Sequence, residues 1–117
     1  MAAKYAKVVN SIVKGILLEG GEVRFTVTSR SMEPTMKVGD AVFIKKVPTE
    51  DLQEGDIIAF QADDVIFTHR IVGKGEIGGN IGFVTKGDNV ERADFPIRAE
   101  QVLGKVVRID PSNCDRG

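Results

Sequence analysis

The chain has 117 residues, 42% of them hydrophobic, and a formal net charge of −1 at pH 7, which predicts one globular domain, residues 1–117, without the basic surface that nucleic acid requires. A single cysteine and a single histidine exclude an internal disulfide and leave too few ligands for a zinc site, so we expect no metal and no cofactor. No stretch reaches the roughly 20 apolar residues of a transmembrane helix, and we expect a soluble, cytoplasmic protein with no transmembrane anchor in this chain.

Residues 3–19 predict an amphipathic helix that ends at Gly20-Gly21. One face of this helix is apolar and the other is rich in lysine. The apolar face consists of Tyr5, Val9, Ile12, Val13, Ile16 and Leu17. We expect this apolar face to pack on the domain's own sheet, while the lysine-rich face also permits peripheral contact with a membrane surface.

At least six short strands follow the helix. The alternating residues 23–28 predict a half-buried strand, and further apolar runs predict strands at 41–47, 57–60, 65–72, 81–86 and 102–109. Asp63-Asp64 is the expected tip of a hairpin, and the glycine-rich residues 73–82 are the expected flexible connection of another. The pattern predicts a mainly β core over residues 22–110, an antiparallel sheet that is coiled or barrel-like, followed by a loose tail at 111–117.

Two serines, Ser29 and Ser31, follow the first strand directly. Pro34 prevents the strand pairing from continuing and stiffens the turn. A stiff turn at a strand end can hold a side chain out for reaction. Taken alone, these residues favour a polar turn that has no chemical role.

His69 is the only histidine, and histidine is the residue type whose reference pKa lies near neutrality. Strand alternation places Phe67 and Ile71 on the same face as His69. Taken singly, His69 could be a packed or surface residue, and Asp94 could be an ordinary solvated loop carboxylate.

Four motifs in a fixed order change this interpretation. They are Ser31-Met32-Glu33-Pro34-Thr35, Gly55-Asp56-Ile57-Ile58, His69-Arg70-Ile71-Val72, and Thr85-Lys86-Gly87-Asp88-Asn89 with Asp94 after it. Together they resemble the type I signal peptidase superfamily, and more closely its archaeal and endoplasmic-reticulum branch. In that branch a histidine stands where most bacterial members carry a general-base lysine. The resemblance covers residues 23–94.

The resemblance implies a role for each matching residue. Ser31 corresponds to the nucleophile, His69 to the general base and Asp94 to the acid that orients the base. Ser29 corresponds to the serine whose hydroxyl joins the Ser31 N–H in an oxyanion hole. Asp88 corresponds to an aspartate with a structural or polarising role, and whether Asp88 or Asp94 orients the base stays open.

The resemblance also implies a substrate, a peptide or protein bound as an added strand with small residues before the cleaved bond. Met32 is expected to line the apolar groove that receives it. We therefore expect a serine endopeptidase of the signal peptidase I type, in a small stand-alone form.

Two other readings remain open. The first is a Ser-Lys peptidase like the self-cleaving SOS-response repressors, which share this fold, with Lys45, Lys46 or Lys86 as the base. The second is a non-catalytic peptide-binding domain that keeps the fold and the groove.

Overall fold

The computed structural model describes residues 11–112, which form one antiparallel sheet of seven strands after a short helix. The helix, α1, covers residues 11–18. The strands are β1 (Glu22–Thr26), β2 (Ala41–Lys45), β3 (Ile57–Ala62), β4 (Val65–Ile77), β5 (Asn80–Lys86), β6 (Ile97–Arg98) and β7 (Val102–Asp110). Their order in the sheet is β1-β2-β7-β3-β4-β5-β6. The prediction of a mainly β, antiparallel fold is confirmed, and the sheet is open because β1 and β6 are its edges.

The hairpin between β4 and β5 differs from the prediction. The expected flexible connection at 73–82 is wrong, because β4 continues to Ile77 and β5 begins at Asn80. Gly78 and Gly79 alone form the turn, with φ of 59° and 84°. The glycines before and after this turn are paired residues of β4 and β5, so they belong to the sheet and not to a loop. Glycine content therefore overstated the length of the loop.

The hairpin between β3 and β4 agrees with the prediction. Asp63 and Asp64 both have positive φ, 53° and 65°, as a two-residue turn of the type favoured in hairpins requires. The two-residue β6 was not predicted, since a strand of this length leaves no alternating pattern to recognise.

The helix packs on the sheet through Val13 and Leu17, which are buried with Ile44, Ala59 and Leu103. This confirms the predicted docking for the described part of the helix. Ile12 and Ile16, which the pattern placed on the same face, are exposed. The predicted residues 3–10 of the helix lie outside the described residues. Within residues 11–112, none of the helices has the length and apolar character to cross a bilayer.

The two faces of strand β4 contact different parts of the molecule. Phe67 and His69 share one face, as predicted, and their ring centroids are 6.0 Å apart. Phe60 of β3 pairs with Phe67 and stacks on it, with a centroid distance of 5.6 Å. On the opposite face Ile66 packs against the cluster that receives α1. The sheet therefore separates the helix from the histidine.

The start of the predicted loose tail is held to the domain. The Ser112 N–H donates to the Asp40 carboxylate at 2.8 Å, and the Lys37 N–H donates to its other oxygen at 2.9 Å. These two backbone hydrogen bonds lower the pKa of Asp40 below its usual value, against the opposing effect of burial. Residues 113–117 lie outside the described residues.

Candidate active site

Ser31, His69 and Asp94 form a continuous hydrogen-bonded chain. The Ser31 Oγ lies 3.2 Å from His69 Nε2, and His69 Nδ1 lies 2.6 Å from Asp94 Oδ2. The histidine side chain is 11% exposed and that of Asp94 is 32% exposed. The first contact spans 38 residues of sequence and the second spans 25, so sheet topology creates both.

The partners of His69 determine how its ring nitrogens are used. An ionised carboxylate can only accept hydrogen bonds, so Nδ1 donates to Asp94. Nε2 is then left as an acceptor directed at the Ser31 hydroxyl. This is the arrangement in which a neutral imidazole can take a proton from a serine.

Ser29 lies beside Ser31, and two hydrogen bonds connect these residues. The Ser29 hydroxyl is 3.1 Å from the Ser31 Oγ, and the Ser31 N–H donates to the Ser29 Oγ at 3.2 Å. The two groups expected to form an oxyanion hole are thus adjacent and bonded to each other in this structure.

Among the described residues, Asp88 makes no hydrogen bond or ion pair with His69, and its carboxylate is bound by other groups. Arg70 donates to both its oxygens, each at 2.8 Å, and the Thr35 hydroxyl donates at 2.6 Å. The hydrogen bonds from Arg70 lower the pKa of Asp88, partial burial opposes this, and Thr35 lowers it further. The same pair raises the pKa of Arg70. Asp88 thus links the strand that carries His69 to the turn at residues 29–36, which we call the serine turn.

Backbone contacts fix the serine turn against the turn that follows β5. The Asn89 N–H donates to the Ser31 carbonyl at 2.8 Å, and the Asn89 side-chain amide donates to the Arg30 carbonyl at 3.1 Å. A Cβ on Gly87 would lie 2.6 Å from the same Ser31 carbonyl. The close approach of the two turns therefore requires glycine at this position.

An apolar cleft leads to the serine, and we call it the serine cleft. It has a volume of about 520 Å³ and lies between residues 25–29 and residues 65–69. Met32, Met36 and Val42 contribute its floor. Met32 lines this cleft and is itself buried, and its Sδ accepts the Asp88 N–H at 3.3 Å.

Both walls of the serine cleft have a free strand edge within residues 11–112. Strand β1 pairs only with β2. Strand β4 pairs with β3 along residues 65–70, but its pairing with β5 begins only at Arg70. Unpaired N–H and C=O groups at such edges are a template for an extended peptide.

Thr85 is a site residue that the sequence analysis missed. Its side chain is fully buried, its hydroxyl donates to Asp94 Oδ2 at 2.7 Å, and its carbonyl accepts the Asp94 N–H at 2.8 Å. Its position in the motif with Gly87 and Asp88 was the available signal. A threonine inside a buried strand gave no indication of its partner nine residues later.

The lysines considered as alternative bases do not contact Ser31 in the part of the chain that the structure describes. Lys86 Nζ donates to the Gly87 carbonyl at 2.9 Å. Lys45 and Lys46 are exposed. No observation in these residues favours the Ser-Lys reading.

The chain is similar to known peptidases. Residues 11–107 match the family model described as Peptidase S24-like. Over 80 residues the chain is 40% identical to signal peptidase I W of Bacillus subtilis, covering 66% of this chain and 42% of that protein. Over 98 residues it is 37% identical to the protein named signal peptidase complex catalytic subunit of Homo sapiens, covering 77% of this chain and 51% of that protein. The chain spans about half the length of the curated relatives that it matches.

Proposed function

Because the chain belongs to the signal peptidase I-like peptidases, we propose that it is a serine endopeptidase with Ser31 as nucleophile, His69 as general base and Asp94 as the group that orients the base. The observation that carries this proposal is the hydrogen-bonded chain from Ser31 through His69 to Asp94, at 3.2 and 2.6 Å. These hydrogen-bonded side chains lie at the end of the serine cleft, and each wall of that cleft has a free strand edge.

The reaction begins when His69 Nε2 takes the Ser31 hydroxyl proton as Oγ attacks the carbonyl carbon of the scissile bond. Asp94 accepts the Nδ1–H bond and stabilises the imidazolium that results. The imidazolium then protonates the leaving amine, the C–N bond breaks, and an acyl-enzyme remains on Ser31. Water, deprotonated by His69, hydrolyses this ester and regenerates the serine.

The tetrahedral intermediate needs hydrogen-bond donors at its oxyanion. The Ser31 N–H and the Ser29 hydroxyl lie side by side and donate here to Ser29 Oγ and Ser31 Oγ. In the reaction they donate to the oxyanion instead of these two acceptors. Loss of one oxyanion donor typically lowers kcat by about 10²–10³. Ser29→Ala is therefore a damaging change that leaves measurable activity.

The substrate binds as an extended strand between the free edges of β1 and β4. Main-chain hydrogen bonds supply affinity there, and side-chain pockets supply selectivity. Met32 and Met36 make the floor of the cleft apolar, and the likeness to signal peptidases favours small residues before the scissile bond. By analogy with relatives named signal peptidases, we propose peptides of the signal-peptide class as substrates.

Two variants test the proposal against a random peptide library and a serine-directed covalent probe. Ser31→Ala and His69→Ala are expected to lower kcat on the order of 10⁴-fold or more and to remove probe labelling. Wild-type activity is expected to fall on acidification, because a protonated imidazole cannot accept the serine proton. The circular dichroism spectrum and Tm of each variant serve as the control for folding.

Cleavage by Ser31→Ala at the wild-type rate would refute the nucleophile. Activity that survives in His69→Ala and disappears in Lys86→Ala would instead support a lysine base. A wild-type protein that binds peptides and neither cleaves them nor reacts with the probe would be a binding domain.

A further inference from the structure

A second cleft opens beside the catalytic histidine and aspartate. It has a volume of about 1000 Å³. Its apolar lining includes Phe60, Phe67, Phe95, Pro96 and Ile97, and its polar lining consists of Asp63, Arg92, Asp94 and Gln101. We call it the aromatic cleft. The ring of Phe95 is 91% exposed, although it directly follows Asp94. An aromatic ring held in water at this position has apolar surface available for a partner.

The aromatic cleft is continuous with the serine cleft. Val65 and Phe67 line both, and Asp94 itself lines the aromatic cleft. The Phe67 ring lies 6.0 Å from the His69 ring and 5.6 Å from that of Phe60. A peptide seated on the edge of β4 thus passes within side-chain reach of both clefts.

The geometry of a strand decides which peptide side chains reach each cleft. Successive side chains of an extended chain point to opposite faces of a sheet. The cluster of Met32 and Met36 shares Phe25 and Val106 with the cluster on which Ile66 packs, so these clusters lie on the same face of the sheet. A peptide paired with residues 65–69 directs one set of side chains toward that face. It directs the alternate set toward the face of Phe67 and His69, where the aromatic cleft lies.

We propose that the aromatic cleft is a second specificity subsite, which takes an apolar and preferably aromatic side chain of the peptide substrate. This subsite presupposes the proposed peptidase activity. The small residue before the scissile bond lies on the Met32 side, so the aromatic residue must be one or three positions away from it. A separation of two positions would place the side chain on the wrong face.

Aromatic selection follows from the lining of the cleft. Phe67, which is partly exposed and stacks on the buried Phe60, and the exposed Phe95 both line the cleft. A substrate ring that contacts Phe67 and Phe95 gains apolar burial and ring–ring contacts. We expect kcat/KM to favour phenylalanine over alanine at the selected position by about tenfold, the usual scale for an apolar pocket.

Library profiling of the full chain tests this subsite through a ratio. Peptides carry a fixed small residue before the bond and either phenylalanine or alanine at each neighbouring position. In Phe95→Ser the phenylalanine-to-alanine ratio should fall from about tenfold to about threefold or less, since an opened wall forfeits part of the apolar burial. Val107→Ser, which changes an exposed valine that lines neither cleft, should keep the wild-type ratio.

The outcomes separate this subsite from the peptidase activity. Ser31-dependent cleavage without an aromatic preference, or with one at a separation of two, overturns the subsite alone. A preference that persists in Phe95→Ser does the same. Absence of any cleavage overturns both. A membrane surface is the alternative occupant of the cleft, and flotation with phosphatidylglycerol-containing vesicles tests it. If Phe95→Ser loses vesicle binding and keeps the phenylalanine-to-alanine ratio, the cleft is a membrane contact and the subsite is refuted.

Discussion

Replacing Thr85 by valine isolates one hydrogen bond that supports the proposed base. The valine side chain has nearly the shape of threonine, so the buried position stays filled, and the Asp94 N–H keeps its bond to the carbonyl of residue 85. Only the 2.7 Å hydrogen bond from the hydroxyl to Asp94 Oδ2 is lost. That oxygen is the one that accepts from His69 Nδ1 at 2.6 Å, so its position controls the orientation of the imidazole.

The expected loss of kcat depends on how exposed the Asp94 carboxylate is, because this group accepts the hydrogen bond. A hydrogen bond to a charged group contributes about 1.5–3 kcal/mol. The Asp94 side chain is 32% exposed, so water can replace part of the lost bond and the low end of that range applies. At about 1.4 kcal/mol per factor of ten, kcat should fall roughly tenfold. KM should change little, because Thr85 does not line the serine cleft.

Steady-state kinetics on a cleaved library peptide measures this effect in Thr85→Val and Thr85→Ser. The serine variant retains the hydroxyl and should recover most of kcat, which a purely structural effect of the substitution would not predict. Unchanged kcat in Thr85→Val would refute the positioning role. Equal losses of kcat in both variants would attribute the effect to packing instead.

Three further substitutions test the framework of the site. Asp88→Asn should lower the free energy of unfolding by about 2–3 kcal/mol near neutral pH, as expected when a hydrogen-bonded charge loses its partner. The folded-state pKa of Asp88 is lowered. The stability that its charge contributes is therefore full above the unfolded-state pKa and is lost as pH falls through the folded-state pKa. Gly87→Ala should lower both Tm and peptidase activity, since its Cβ would lie 2.6 Å from a backbone carbonyl of the serine turn. Leu17→Ala should lower the free energy of unfolding by about 2–5 kcal/mol, because it removes a buried contact of the helix with the sheet.

Each of these has a matched control. Denaturant unfolding of Asp88→Asn and wild type should converge in acid, and a constant difference from pH 7 to pH 3 would contradict the ionic origin. Gly75→Ala meets no atom within 4 Å and should retain activity. Leu18→Ala changes a side chain that is 70% exposed and should shift stability by no more than about 0.5 kcal/mol, so equal losses at Leu17 and Leu18 would contradict the docking of the helix.

The sequence predicted turns correctly where their conformation depends only on neighbouring residues. Asp63-Asp64 gave the β3–β4 hairpin correctly, and strand parity correctly placed Phe67 beside His69. The glycine-rich hairpin between β4 and β5 was misread, because glycine marks conformational freedom and does not report whether a partner strand is present to use it. Pairing of Gly75 with Gly82 depends on the register of two strands.

The choice between Asp88 and Asp94 could not be made from spacing. Both are carboxylates that follow β5 in the chain, Asp88 two residues and Asp94 eight residues after its last residue, Lys86. The structure directs Asp94 to His69 and Asp88 to Arg70. Their distances from the imidazole depend on how the segment after β5 folds back along that strand, through the hydrogen bond of the Asp94 N–H to the Thr85 carbonyl. The catalytic roles of Ser31, His69 and Asp94 stay predictions until the variants are measured.

The sequence by itself determined the mainly β fold, the amphipathic packing of the helix and the residue types available for chemistry, because alternation, helical spacing and turn preferences act over a few neighbouring residues. Tertiary structure alone decided the open edges of the sheet, the buried partner Thr85 and the aromatic cleft beside Asp94. These features arise from contacts across tens of residues, whose distances depend on strand register and sheet curvature. A periodic pattern in one segment carries no information about either.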